Sequence, residues 1–235
     1  MRRPLIAVLA VLPMLAQQPD PALDQVLQGW YGTQGGLAKM KATRTRRVEG
    51  HFLGLTAPAS YVQTNERPNH YWLETTSGPD RRMKVFDGRS GFEVTALGLR
   101  RQLMPEEIAD LETDFDGPLV DAQAKGIRLQ YLGAQPLGYS KADVVKASLP
   151  GGEVRTFYFD VQTHRLVRQV MRRLIQDQLI ETEVRFSEFR TVDGRDLAFK
   201  VVTGPLDQPP AYTVVVDAIS FDKPVETPSL PTPPK

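Results

Sequence analysis

Alternation of apolar and polar residues within residues 154–202 is the feature that most restricts the fold of this chain. Ile180, Val184 and Phe186 lie on one side of a strand-length segment, and the charged residues at 181, 183 and 185 lie on the other. This period of two is typical of a strand with one covered and one solvated face. The pair Asp193-Gly194 is a strong turn signal between two such segments. The sequence therefore predicts an antiparallel meander whose inner face must be covered.

Further strand-length segments occur on both sides of this meander, separated by Gly- and Pro-containing turns about every ten residues. They are residues 43–55, 59–67, 69–76, 81–87, 91–97, 127–132, 142–149 and 211–221. Helices are few and short in this pattern. The pair Asp20-Pro21 predicts the start of a helix with Trp30 on its apolar side, and a short helical turn follows near Met40. The predicted fold class is therefore α+β and mainly β, with an antiparallel sheet.

A helical insertion is predicted between the two runs of strands. Met104-Pro105 and two glutamates favour a helix start, after which Ile108, Leu111 and Phe115 share one side. A second short helix is predicted over residues 116–125, because a basic last turn at Lys125 is followed by glycine. The insertion would then have the size of a lid over the sheet.

The ends of the chain differ in composition from its middle. Residues 1–16 carry two arginines, an apolar run and a small-residue end, which predicts a cleavable secretory signal, and the run is too short to span a bilayer. We expect one domain over residues 17–222 and an extended Pro-rich tail over 223–235. Loss of the signal leaves 27 basic against 28 acidic residues, so the charge does not favour nucleic acid. The absence of cysteine excludes disulfides and thiolate chemistry.

Candidate catalytic and metal-binding groups are sparse. His51, His70 and His164 lie in three separate segments without metal-ligand spacing. The acidic residues at 110, 112, 114, 116 and 121 depart from the calcium-loop pattern and are interpreted as a solvated helix face. We therefore predict no enzyme, no metal and no cofactor.

Two arginine clusters could contact an anionic group. For Arg44, Arg46 and Arg47, the sequence leaves open a contact with a lipid head group or a partner and a role at the sheet margin. A second cluster at residues 168, 172 and 173 is interpreted as solubilising the outer face of the sheet.

The order of several motifs resembles that of the LolA-like outer-membrane lipoprotein-sorting proteins. They are ERPNHYWLE, VFDGRSGFEV, DFDGPLVDAQAKG, YFDVQTHRLVRQ and FSEFRTVDGRDLAFKV, after one helix and a secretory signal. The resemblance covers nearly the whole mature chain and is strongest to the broad relatives of the carrier. It implies a strongly curved sheet that forms an incomplete barrel, helices that close it, and a cavity for acyl chains. A monomeric periplasmic carrier or binding protein is therefore expected, with lipid or lipoprotein acyl chains as its ligand and membrane-associated proteins as further candidate partners.

The expected lining of such a cavity consists of apolar residues of the predicted helices and strands. These are Trp30, Phe52, Trp72, Phe86, Phe92, Ile108, Leu111, Phe115, Phe159, Val184, Phe186 and Phe199. The sequence does not distinguish an open cavity from a filled core. The alternative is thus a non-enzymatic sensing or protein-interaction module of the same fold with a filled apolar interior.

Overall fold

A computed structural model of the chain describes residues 20–111 and 115–224. The predicted signal peptide, most of the predicted tail, and the acidic residues 112 and 114 lie outside these ranges. Within them, no helix has the length and hydropathy needed to cross a membrane.

Three short helices and thirteen strands make up the described chain. Their bounds in chain order are α1 Pro21–Thr33, α2 Leu37–Ala42, β1 Thr45–Leu53, β2 Ala59–Glu66, β3 His70–Ser77, β4 Asp80–Asp87, β5 Gly91–Val94, β6 Arg100–Gln102, α3 Pro105–Asp110, β7 Arg128–Leu137, β8 Ser140–Ser148, β9 Val154–Asp160, β10 Leu166–Ile175, β11 Gln178–Val192, β12 Arg195–Pro205 and β13 Tyr212–Phe221. The predicted α+β, mainly β class is confirmed.

All strands form one antiparallel sheet in the order β6-β5-β4-β3-β2-β1-β13-β12-β11-β10-β9-β8-β7. Two meanders are joined where β1 pairs with β13. Leu73 of β3 and Met171 of β10 line the same cavity, although six strand steps separate them. In a flat sheet six steps would span about 29 Å. The sheet is therefore curved, and its edge strands β6 and β7 leave it open rather than closed into a barrel.

Helix α1 covers one end of the concave face. The Asp20 carboxylate accepts hydrogen bonds from the backbone N–H groups of Ala22 and Leu23, which caps the helix where Pro21 begins it, as predicted. The apolar side of α1 packs on β7–β9, where the Trp30 ring lies 6.0 Å from that of Phe159. Around Val145, Ala147 and Phe159, this part of the interior is a filled core.

Helix α3 is shorter than predicted. The prediction of a second helix over residues 116–125 is wrong. The segment forms turns in which Gly117 (φ 66°) and Asp121 (φ 52°) adopt left-handed backbone conformations that a helix does not allow. Side chains bind its carbonyl groups instead: Tyr31 donates to the Leu119 oxygen at 3.0 Å and Lys125 to that of Gly117 at 2.7 Å. These side-chain contacts, together with backbone hydrogen bonds such as that from Lys125 to the Asp121 oxygen at 3.2 Å, hold the segment in turns.

Candidate functional site

A row of apolar side chains crosses the middle of the concave face. Strand register places them side by side in the order Phe186, Val201, Val214, Phe52 and Ala59, one residue from each of β11, β12, β13, β1 and β2. Four of the five are aromatic or β-branched, which suits packing across neighbouring strands. They form the floor of the site.

Above this floor lies a cavity of about 700 Å³, which we call the main cavity. Its apolar lining includes Trp30, Val48, Phe52, Tyr61, Leu73, Leu111, Leu166, Met171, Val184, Phe186, Val201, Val214, Val216 and Ile219. Ile180, at the far end, is 38% exposed and also lines it, so the cavity reaches the surface there. Its volume lies within the range of small-molecule sites.

A second cavity of about 360 Å³, the side cavity, lies beneath the insertion. Its apolar lining includes Ile108, Phe115, Pro118, Leu119, Ile127, Leu149 and Phe157. Both cavities share the lining residues Trp30, Arg46, Arg155, Leu166 and Gln169. The two spaces therefore adjoin, with three polar side chains at their common boundary.

We call Arg46, Arg155 and Gln169 the junction residues. Arg46 donates from Nη2 to Asn65 Oδ1 at 3.2 Å, and its guanidinium carbon lies 5.7 Å from the centre of the Phe115 ring. Arg155 Nε donates to Glu153 Oε1 at 2.5 Å. Gln169 is only 8% exposed, its register partners on β9 and β11 are Phe157 and Val184, and no hydrogen bond joins its side chain to a described residue. The junction is thus polar and rich in donors within an apolar surface.

A salt bridge between Arg67 and Asp116 holds in place the turns that cover the side cavity, which we call its roof. Arg67 donates from both terminal nitrogens to the Asp116 carboxylate at 2.6 Å each and also donates to the backbone oxygens of Thr43 and Met40. Its guanidinium carbon lies 4.6 Å from the centre of the Phe115 ring. Asp116 was interpreted from the sequence as part of a solvated helix face, which is wrong, because its side chain is 14% exposed and paired.

Tyr61 lines the main cavity beside Phe52. Its ring is 5.2 Å from that of Phe52 and crosses Gly50, where an added Cβ would come within 2.9 Å of the ring and 2.3 Å of the Val215 oxygen. Glycine is therefore required at position 50. Burial, together with the charge of Asp217, raises the pKa of the Tyr61 hydroxyl to about 12.

The structure brings seven of the twelve expected lining residues to the two cavities. They are Trp30, Phe52, Ile108, Leu111, Phe115, Val184 and Phe186. Phe86 packs under α3, and Phe159 and Phe199 are at most 4% exposed in the core. Trp72 and Phe92 lie on the opposite face, in a separate cluster with Met83, Val85 and Val94.

The arginine clusters divide between the two faces. Of the first three, Arg46 lines both cavities, whereas Arg44 and Arg47 are exposed, and Arg47 pairs with Glu49 at 2.8 Å. In the second cluster, the arginines at 168 and 172 pair with glutamates of β11 as expected for the outer face, whereas the one at 173 lines the main cavity.

Apart from Arg46, the polar lining was not predicted from the sequence. Gln169, Arg155 and Gln63 occupy inward positions of strands, and a polar residue at an inward position of an alternating pattern is the signal that could have indicated them.

The three histidines lie in separate parts of the structure. His51 contacts Asp217 at 3.1 Å, His70 lies 3.7 Å from Glu66, and His164 packs against Gly29 in a turn. Among residues 20–111 and 115–224, no group of three or more potential ligands could hold a metal ion.

Several solved structures share this fold. A DUF1329 family protein from Desulfovibrio piger aligns with a TM-score of 0.60 at 8% identity over 87% of this chain and 95% of its own. A putative outer membrane lipoprotein-sorting protein domain from Vibrio parahaemolyticus aligns with a TM-score of 0.58 at 8% identity over 86% of this chain and 93% of its own. A LolA superfamily protein from Nitrosomonas europaea aligns with a TM-score of 0.53 at 9% identity over 86% and 94%.

No family model matches the sequence, and no curated protein matches it. At these identities the similarity concerns the fold. The chain has the architecture of the LolA-like proteins, so the resemblance predicted from the order of its motifs is confirmed at that level.

Proposed function

We propose that this protein is an exported, non-enzymatic carrier or binding protein that holds the acyl chains of a lipid or lipoprotein on the concave face of its sheet. The uncovered apolar floor formed by Phe186, Val201, Val214 and Phe52 carries the proposal. The lipoprotein-sorting description of a structural neighbour supports the same class of ligand.

Binding would be driven by burial of apolar surface. Each methylene group removed from water contributes about 0.8 kcal/mol, so a partly buried acyl chain is held firmly but reversibly. The chain would enter at the exposed end near Ile180 and extend toward Trp30. Movement of the insertion, which Arg67 and Asp116 fasten, would widen the site.

Native mass spectrometry of protein purified from the periplasm tests the proposal. The expected result is a co-purifying lipid mass on a chain whose N-terminus lies after residue 16, as N-terminal sequencing would show. A fluorescent fatty-acid probe should bind to the delipidated protein. Protein that carries no lipid and binds no probe would contradict the proposal and favour the alternative, an interaction module with a filled interior.

A pair of variants on neighbouring residues controls for nonspecific loss of binding. Phe186 faces the main cavity, and Ser187, next in β11, is exposed on the other side. Phe186→Glu should abolish probe binding, because an unpaired carboxylate in an apolar site opposes an acyl chain. Ser187→Glu should bind the probe as the wild type does.

A further inference from the structure

We propose that this protein docks on the surface of a lipid bilayer through three hairpin tips at one end of its sheet. The tips join β1 to β2, β5 to β6 and β10 to β11, and they comprise residues 53–58, 95–99 and 174–180. We call the three tips together the leucine rim. The proposal concerns how the protein meets a membrane and does not depend on what its cavities hold.

Strand pairing places the three tips at the same end of the sheet. In an antiparallel meander alternate turns share one end, so the turns after β1, β3 and β5 lie together. The turn after β10 joins them, because Leu53 at the end of β1 lies opposite Thr213 near the start of β13, and Thr182 near the start of β11 lies opposite Pro205 at the end of β12.

The exposed leucines of the described chain are concentrated in these tips. Each tip carries two leucines that are between 45% and 76% exposed: Leu53 and Leu55, Leu97 and Leu99, and Leu174 and Leu179. Outside the tips, only Met104, Leu132 and Tyr139 are comparably exposed among the large apolar residues that the structure describes. Single exposed apolar residues are common, but a concentration of them at one end indicates an interaction surface.

The main cavity does not account for these leucines. Phe52 and Ile180 line it, so their neighbours Leu53 and Leu179 lie on the opposite face of the sheet. Leu174 is the register partner of Leu179 and shares that outer face. The rim is therefore apolar on both faces of the sheet, which the mouth of a cavity alone does not require.

The spacing of the tips favours a bilayer over a folded partner protein. Three strand steps separate β2 from β5, and three separate β1 from β11, so about 14 Å of sheet lies between neighbouring tips. The intervening turns, at residues 78–79 and 206–211, present no large apolar side chain of similar exposure. A folded protein would need a continuous complementary surface to bury such separate points. A fluid bilayer admits each tip independently.

The charges at the rim fit the same partner. The first two tips contain no charged residue, and Asp177 is the only one in the third. A charge that enters the bilayer is costly, so insertion requires tips of this kind. The exposed Arg82 and Arg100 lie just behind the tips, where cations attract lipid phosphates. Asp80 and Asp207 belong to the intervening turns and would stay outside the lipid.

Vesicle co-sedimentation of the purified protein tests the proposal. The wild type should pellet with vesicles of phosphatidylethanolamine and phosphatidylglycerol. Leu55→Asp, Leu97→Asp and Leu179→Asp should each lower the partition coefficient about tenfold, because each replaces an inserting apolar group with a charge. The matched control Leu132→Asp changes an exposed leucine in the middle of β7 and should bind as the wild type does.

The single charge of the rim offers a test in the opposite direction. Asp177→Asn should bind the vesicles several-fold more tightly, because it removes the only charge that opposes insertion of the third tip. Asparagine tolerates the left-handed backbone of this position (φ 61°), so the turn should be kept. Weaker binding of this variant would contradict insertion of the third tip.

Labelled cysteines show whether all three tips enter the lipid. The chain contains no cysteine, so Leu55→Cys, Leu97→Cys and Leu179→Cys can each carry one polarity-sensitive fluorophore. On addition of vesicles, the emission of all three should rise and shift to the blue. That of Tyr139→Cys, in the turn between β7 and β8 at the opposite end of the sheet, should not change. This measurement decides the question if an aspartate variant fails to fold.

Three outcomes would overturn the proposal. They are wild-type protein that stays in the supernatant, a response from fewer than three labelled tips, and a loss of binding in Leu132→Asp equal to that in the tip variants. A dimer in analytical ultracentrifugation that Leu97→Asp dissociates would assign the rim to a second copy of this chain instead. Failure here would leave the proposed function intact, because binding of a fatty-acid probe in solution tests that function without vesicles.

Discussion

The two parts of the concave face differ in what covers them. Beneath α1, strands β8 and β9 present Val145, Ala147 and Phe159, all at most 1% exposed and packed in one core cluster with residues of the helix. Across β11–β13 and β1, similar residues such as Val184 and Phe186 are only half-buried and line the main cavity. Both parts have the same alternation and the same residue types. The position of one short helix therefore decides whether this sheet face forms a filled core or the floor of an open cavity.

The largest loss of stability is expected at Phe159, which lies in the filled part of the concave face. Phe159→Ala should lower the free energy of unfolding by about 3–5 kcal/mol, because it leaves a new void beside Trp30 and Phe157. Urea-induced unfolding measures the change. A loss below about 1 kcal/mol would mean that this part of the face is not a close-packed core.

The next largest effect concerns the boundary between the two parts. Asp116→Asn removes the charge that pairs with Arg67 and should cost about 1–3 kcal/mol, because the Arg67 guanidinium is 26% exposed. It should also speed exchange of a bound fatty-acid probe by loosening the roof of the side cavity. The control Asp121→Asn removes a half-exposed pair with Lys41 and should change stability by less than about 1 kcal/mol. Equal effects of the two variants would show that the Arg67 pair does not fasten the roof.

A smaller effect is expected in the open part. Phe186→Ala should lower the free energy of unfolding by only about 1 kcal/mol, because it enlarges an existing cavity instead of creating one. Thermal unfolding and probe binding should be measured on the same sample. A loss as large as that of Phe159→Ala would remove the distinction between the two parts.

The smallest expected effect is a dependence of stability on pH. The pKa of Tyr61 is raised in the folded protein from 10.0 to about 12, so its contribution to stability is complete below pH 10 and is lost as the pH rises toward 12. Tyr61→Phe should therefore make alkaline unfolding less steep in this interval and remove one tyrosine from the late step of an ultraviolet titration. An unchanged titration in Tyr61→Phe would show that the ring is not buried.

Local chemistry explains which elements the sequence predicted. The start of α1 depends only on Asp20 and Pro21. The turn at Asp193-Gly194 depends only on these two residues, both of which have a left-handed backbone conformation. The meander followed from alternation because its covered face is apolar. These features need no knowledge of distant contacts.

The remaining features depend on tertiary register. In β3, Tyr71 and Trp72 are adjacent aromatics, and only pairing with β2 and β4 decides that Tyr71 faces inward. A register shift at Glu49/Gly50 further prevents the inward face of β1 from being read from alternation. The turns over residues 116–125 depend on side chains as distant as Tyr31. Composition could therefore identify apolar residues but not the face that each of them occupies.

The pairing of β1 with β13 also has a consequence for the order of folding. Val48 lies opposite Ile219, so the floor of the main cavity is completed by the first and last strands of the described chain. Contacts so far apart in sequence form slowly, because a long loop must close before they contribute. The strands within each meander can pair before the whole chain is present. Neither meander alone forms the complete floor of the main cavity. A growing chain would therefore lack a complete floor of the main cavity until β13 has formed.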